Sequence, residues 1–331
     1  MRFTRARRAV VAGVAAALAL SACGGPGERG GTAVASAGSA GGPERTAITI
    51  GALPIPDAAS LYIAEQRGYF EEEGLDVTVK TVVGGAQAQQ ALLAGTLDAT
   101  QTNYVSTFLA VSAGEKLKIV ADLYQATPNS FNIMVARDSP IRDLAGLKGR
   151  KIAVNSRRNV GTLAVTSLLT AHGLKEDDVT FVQCPFPDMQ DKLARGAVDA
   201  AWMAEPHLTM AQKGIGAQKL ADTMVGSTAD LPIAGVAVTG RFAEENPRTV
   251  AAFQRAMHRA QRVAASDRGA VEEILPTYIG IDAATAAVVT LGAFPTRLGE
   301  TRLQRVADLM VEHGYLKRPI AAETVLLGNA G

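Results

Sequence analysis

The sequence predicts an α/β protein in which two βαβαβ lobes face each other across a cleft, with a helical C-terminal segment. Three observations carry this: a strand-helix-strand-helix-strand pattern that occurs twice, extended apolar runs that join the copies, and a tail with helical apolar spacing.

Arg2, Arg5, Arg7 and Arg8 precede an apolar run from Ala9 to Leu20, and Leu20-Ser21-Ala22-Cys23 follows. An apolar stretch this short does not comfortably cross a bilayer core, which takes about 20 residues, but it fits the apolar region of a secretory signal. The Leu-Ser-Ala-Cys run resembles a lipobox, so residues 1–22 are expected to be removed and Cys23 to carry lipid. The protein would then sit on the extracytoplasmic face of the cell membrane; a plain signal peptide or an uncleaved anchor is the alternative. Residues 23–45 are rich in Gly, Ala and Ser without apolar periodicity, the composition of a flexible tether.

Composition narrows the function classes. Taking those four arginines from 33 Lys+Arg, against 32 Asp+Glu, leaves a charge of −3, so no basic surface points to nucleic acid. A 47% hydrophobic content in 331 residues is enough for one large core or two ordinary ones. With Cys23 lipidated, Cys184 has no disulfide partner; a buried thiol is the plainer reading and a reactive one the alternative. The four histidines (His172, His207, His258 and His313) are scattered without metal spacing, and neither a nucleophile elbow nor a phosphate loop occurs. No metal, cofactor or catalytic residue is expected.

The first copy runs through strand 48–53, a helix over 60–73, strand 77–82, a helical AQAQQALLAG and the strand TLDATQTNY. The second runs through strand 151–156, a helix over 162–172, strand 179–184, a helical MQDKLARG and the strand AVDAAWMAE. Gly95 and Gly196 stand where a helix should stop, and Asp98 and Asp199 where the third strand begins. Two such units predict two parallel sheets, with ligand-facing loops at the carboxyl ends of their strands. Residues 117–127 and 131–137 read as strands leaving the first unit, and 233–239 as one returning to it. Helices are expected over 247–265, 268–275, 282–291 and 300–313, with Asn246 capping the first. The expected domains are 46–130 and 240–331 for lobe 1 and 138–232 for lobe 2.

The loop rule selects the candidate ligand-binding residues: Asp57, Gly85, Gln87, Asn103, Tyr104, Asn155, Gly161, Thr162, Asp188 and Glu205. Helix N-termini after Gly84-Gly85, after Asn103 and at Gly161-Thr162 would suit a small anion. Arg157 and Arg158 would add charge at the rim or stay solvated. The acids point elsewhere. Glu205 would repel an anion but hold an ammonium or ring N–H groups, unless it is structural; Asp57 alternatively caps the following helix. Tyr62, Tyr124 and Phe186 are further candidates to stack on a flat ligand. Strand alternation turns Trp202 away from Glu205, which reads as packing.

The chain resembles the type II periplasmic solute-binding proteins of ABC importers, of the nitrate/sulfonate/taurine and thiamine-precursor type. The resemblance rests on Gly68-Tyr69-Phe70 with Glu73-Gly74-Leu75-Asp76-Val77, Leu93-Ala94-Gly95 with Asp98-Ala99, Leu147-Lys148-Gly149 with Lys151-Ile152-Ala153-Val154, and Gly196 through Pro206. It spans residues 46–325 and implies a receptor that hands a small polar solute to a permease and ATPase. Two solute classes stay open: a nitrate, sulfonate or taurine-like anion, and an aminopyrimidine or similar amine-bearing ring. Pyrimidine synthases of thiamine biosynthesis share this fold but use a Cys-rich motif, whereas Cys184 stands alone.

Overall fold

The structure is a computed structural model, and it describes residues 41–328. The expected signal peptide, Cys23 and most of the expected tether lie outside the described residues. Among the described residues no helix is long and apolar enough to cross a membrane.

The described residues build two five-stranded sheets. The first contains β1 (Ala47–Ala52), β2 (Asp76–Thr81), β3 (Ala99–Asn103), β4 (Leu117–Gln125) and β10 (Pro232–Thr239), in the order β2-β1-β3-β10-β4. The second contains β5 (Phe131–Val135), β6 (Lys151–Val154), β7 (Thr180–Gln183), β8 (Ala200–Ala204) and β9 (Gln218–Asp222), in the order β7-β6-β8-β5-β9. Each repeat supplies three parallel strands, as its pattern predicts. Neither sheet is purely parallel, however. β10 runs antiparallel between β3 and β4, and β5 runs antiparallel between β8 and β9. The crossings cause this: residues 131–137 join the second sheet, and the chain crosses between sheets at 126–130 and 223–231.

The repeat has a mechanical reason. Asp98 accepts a hydrogen bond from the Thr49 N–H at 2.8 Å, and Asp199 accepts one from the Lys151 N–H at 2.9 Å. In each lobe an acid before the third strand thus fixes the start of the first. Arg45 and Arg150 pair with these acids at 2.9 and 3.4 Å. Gly95 and Gly196 adopt φ of 74° and 67°, the left-handed conformation that ends a helix.

Helices cover the sheets. In the first repeat they are α1 (Ala59–Gln66), α2 (Tyr69–Glu72), α3 (Gly85–Leu93) and α4 (Tyr104–Ser112). The single helix expected over 60–73 is broken because Gly68 takes φ 69°. In the second repeat they are α5 (Val160–Ala171), α6 (Phe186–Ala194) and α7 (His207–Ile215). The tail forms α8 (Gly240–Glu245), α9 (Pro247–Ser266), α10 (Arg268–Ile279), α11 (Ala283–Ala286) and α12 (Glu300–Glu312). The helix expected over 282–291 stops at Ala286. The chain turns at residues 287–289, and Ala293 bridges Gln125 at the end of β4.

Two local expectations change. Asn246 makes no side-chain cap on α9; Glu44 does so from 204 residues away, accepting from the Arg248 and Thr249 N–H groups at 3.1 and 2.8 Å. Glu44, near the end of the stretch 23–45 expected to be tether, is thus held against α9. Desolvation alone would raise the Glu44 pKa, but the Thr249 and Arg248 backbone donors hold it down at about 2. Glu44→Ala is expected to cost about 1 kcal/mol, as lost helix caps do. Urea unfolding at pH 7 checks this, and an unchanged midpoint would remove Glu44 as the cap.

Candidate functional site

A cavity of about 40 Å³ lies between the two sheets, beyond the carboxyl ends of their parallel strands. That is room for about three water-sized groups. From the first lobe come Leu53, Ile55 and Asp57 after β1, Gly85 after β2, and Gln101, Thr102 and Asn103 at the end of β3. From the second come Asn155 and Val160 after β6, Phe186 after β7, and Trp202 of β8. Phe131, Ile233 and Ala234, from strands beside the crossings, complete the lining. Asp57, Gly85, Asn103 and Asn155 are thus brought together as the loop rule predicts.

The walls are aromatic on one side. Trp202 is buried and stacks on Phe131, with centroids 5.2 Å apart and planes 8° from parallel; Phe186 lies 6.0 Å away. The indole N–H donates to the Thr223 hydroxyl at 2.9 Å, which fixes the ring. Trp202 is therefore a packing residue that also forms cavity wall. A Cβ on Gly161 would come within 2.6 Å of this ring, so Gly161 lets α5 start against the indole.

The polar groups are few and mostly engaged. Gln101 Oε1 accepts from the Leu53 N–H at 2.8 Å, holding the loop after β1. Asn103 Oδ1 caps α4 by accepting from the Ser106 N–H at 2.9 Å. Asn155 Oδ1 is buried without a partner among the described residues. Asp57 is 4% exposed and sits in the 3-10 turn Pro56–Ala58, which leads into α1. It makes no helix cap, and among the described residues only its own backbone N–H donates to it. Desolvation pushes its pKa up to about 7.

Six candidates fall outside the lining. Gln87 and Asp188 are exposed in the first turns of α3 and α6. Tyr104 is buried below β3, where its hydroxyl donates to Asp122 at 2.7 Å. Thr162 belongs to the capping box of α5 with Asn159, and its hydroxyl meets the Tyr315 hydroxyl at 2.7 Å. Gly161 backs Trp202, as above.

Glu205 is the largest change from expectation. Its carboxylate turns into the protein and accepts from the Thr209 N–H at 3.0 Å, the Thr209 hydroxyl at 2.9 Å and the Thr290 N–H at 3.0 Å. Both oxygens are engaged by the protein. Desolvation raises its pKa, and these donors oppose the rise. Alternation did place Trp202 and Glu205 on opposite sides; the indole took the cavity side.

The anion reading loses groups as well. The α5 N-terminus is occupied by its own Asn159 cap, whose Nδ2 also reaches across to the Ser106 hydroxyl at 3.1 Å. Arg157 donates to the Phe181 carbonyl, and Arg158 to the Tyr315 carbonyl; neither lines the cavity. Tyr62 and Tyr124 are also taken up elsewhere. Tyr62 stacks on Tyr278, and the Tyr124 hydroxyl accepts from the Gly292 N–H. Cys184 is a buried thiol, raised in pKa by desolvation.

Comparison with known proteins places this geometry in a family. The NMT1/THI5-like family model matches residues 55–268. A putative aliphatic sulfonates-binding protein of Bacillus subtilis is 29% identical over 205 residues, 60% of each chain. A riboflavin-binding protein of Chloroflexus aurantiacus is 28% identical over 220 residues, 64% of this chain and 60% of that one. The chain thus spans about 60% of the length of these curated relatives. The structure of an alkanesulfonate-binding protein from Xanthomonas axonopodis pv. citri aligns with TM-score 0.72 at 20% identity, over 86% of this chain and 99% of that one. The fold is that of the type II periplasmic binding proteins, and the chain belongs to the NMT1/THI5-like family.

Proposed function

We propose that this protein is the solute-binding component of an ABC importer, lipid-anchored through Cys23 on the extracytoplasmic face. It captures a small polar solute between its lobes and presents the closed form to a membrane permease and its ATPase. The observation that carries this is the cavity between the sheets, walled by buried side chains of both lobes. A solute that touches both walls only in the closed form shifts the population toward closure by its differential affinity. The relatives whose names state a binding role point the same way.

Relatives named as pyrimidine phosphate synthases, from Saccharomyces cerevisiae, match 147 residues at 24% identity. Two relatives whose names state a binding role match at higher identity, 29% and 28%, which supports binding over catalysis. For the solute, the names of two relatives favour an aliphatic sulfonate and that of a structural neighbour favours nitrate. The second reading, an amine-bearing group, is favoured by a specific observation: Asp57 faces the cavity, and among the described residues no Lys or Arg lines it.

Trp202 is the chain's single tryptophan and forms cavity wall, so bound solute should change its emission. The test is a titration of the protein with taurine, alkanesulfonates, nitrate, thiamine precursors, riboflavin and amino acids, followed by emission and Tm. A solute at 100 times its Kd adds about 2.7 kcal/mol, enough to raise Tm by several degrees. A folded protein that responds to none of these solutes would remove the receptor reading.

A further inference from the structure

We propose that the cavity selects a solute whose compact nitrogen head group (an ammonium, an amidinium or the edge of an amino-heterocycle) donates hydrogen bonds to Asp57, and that it rejects simple anions. This rests on the receptor reading above and narrows it to a solute class.

Asp57 is 4% exposed, lines the cavity and receives no hydrogen bond from any other described residue. A buried carboxylate is costly unless something pairs with it. Asn155 Oδ1, on the opposite lobe, lines the same cavity and is also buried without a partner among the described residues. The two lobes thus each offer an acceptor to the same small space, and a solute that donates at both sides ties them together. The donors that face it are weaker. With Gln101 Oε1 and Asn103 Oδ1 turned to backbone N–H groups, these side chains can offer their neutral amide NH2 groups.

Charge and size agree with this. Among the described residues no Lys or Arg lines the cavity, and the α5 N-terminus is taken by Asn159. A nitrate or sulfonate would enter beside a buried carboxylate without a cation to offset it. Room for about three water-sized groups fits the head of a solute rather than a whole ring system. The Phe131, Trp202 and Phe186 rings form a wall on which a planar or cationic head can lie.

The test uses matched pairs that differ in the nitrogen donor: taurine against isethionate, and 4-aminopyrimidine against pyrimidine, with nitrate as a bare anion. Binding is read from Trp202 emission and from Tm, in the wild-type protein and in Asp57→Asn. The amine member of at least one pair should bind at least tenfold more tightly than its partner. Asp57→Asn should weaken that binding by at least tenfold, about 1.4 kcal/mol, while remaining folded. Asp57→Glu, which keeps the charge, should recover part of it. Equal binding within both pairs, tight nitrate binding, unchanged binding in Asp57→Asn, or no response to either pair would overturn the proposal. If an anion binds and the amines do not, the receptor reading survives and the donor reading fails. If nothing in the wider solute panel binds either, both fail.

Discussion

Asp57→Asn should make the unliganded protein more stable at pH 8, by roughly 2–4 kcal/mol, with little change at pH 4. Burial raises the Asp57 carboxyl from 3.8 to about 7 on folding. Between those values the folded protein holds a proton that the unfolded chain has released. Stability from this group is therefore complete below pH 3.8 and is lost as pH rises through about 7. Its neighbours do not reverse this: Tyr124 and Tyr278 are themselves pushed upward by burial and by the Asp57 charge. Asparagine cannot ionise and escapes the loss. The check is urea unfolding from pH 4 to 8, read as the difference between the two proteins, so that Glu44 and other acids cancel. A difference that is flat with pH, or a variant less stable at pH 8, would show that Asp57 is not a buried unpaired acid. A group that weakens the fold yet faces the cavity fits a residue kept for binding.

The second large effect is expected at Glu205. Glu205→Ala strips acceptors from the buried Thr209 hydroxyl and from the Thr209 and Thr290 N–H groups. Leaving buried donors unpaired costs about 1–3 kcal/mol each at most, and part is regained by water, so a loss of about 2–4 kcal/mol is expected. The Thr290 contact ties the turn after β8 in the second lobe to the tail segment that bridges β4 in the first. Its loss should therefore weaken closure as well as stability. Tm and solute affinity should fall together in Glu205→Ala. If binding disappears while Tm stays unchanged, Glu205 is a ligand contact and the structural assignment is wrong.

Much of the fold could be read from the sequence because the repeat is local. The apolar spacing within each copy, Gly95 and Gly196 at helix ends, and the acids before the third strands depend on neighbours in the chain or on the equivalent strand. Those features also located the cavity, since strand direction decides which loops converge. Asp57, Gly85, Asn103 and Asn155 were found in this way.

The remaining features depended on partners distant in sequence. Period-two alternation says that Trp202 and Glu205 point apart, but not which of them faces the cavity. That was decided by Phe131, which stacks on the indole, and by Thr290, 85 residues beyond Glu205, which takes the carboxylate. The cap of α9 likewise comes from Glu44, 204 residues earlier. The antiparallel strands in each sheet follow from where the chain crosses between lobes, which no local pattern encodes. The sequence alone determined the two-lobed α/β architecture and the loops that meet between the sheets. Only the tertiary structure decided which polar groups there are already satisfied and which, above all Asp57, are left facing the cavity, because hydrogen-bond pairing depends on distance in space.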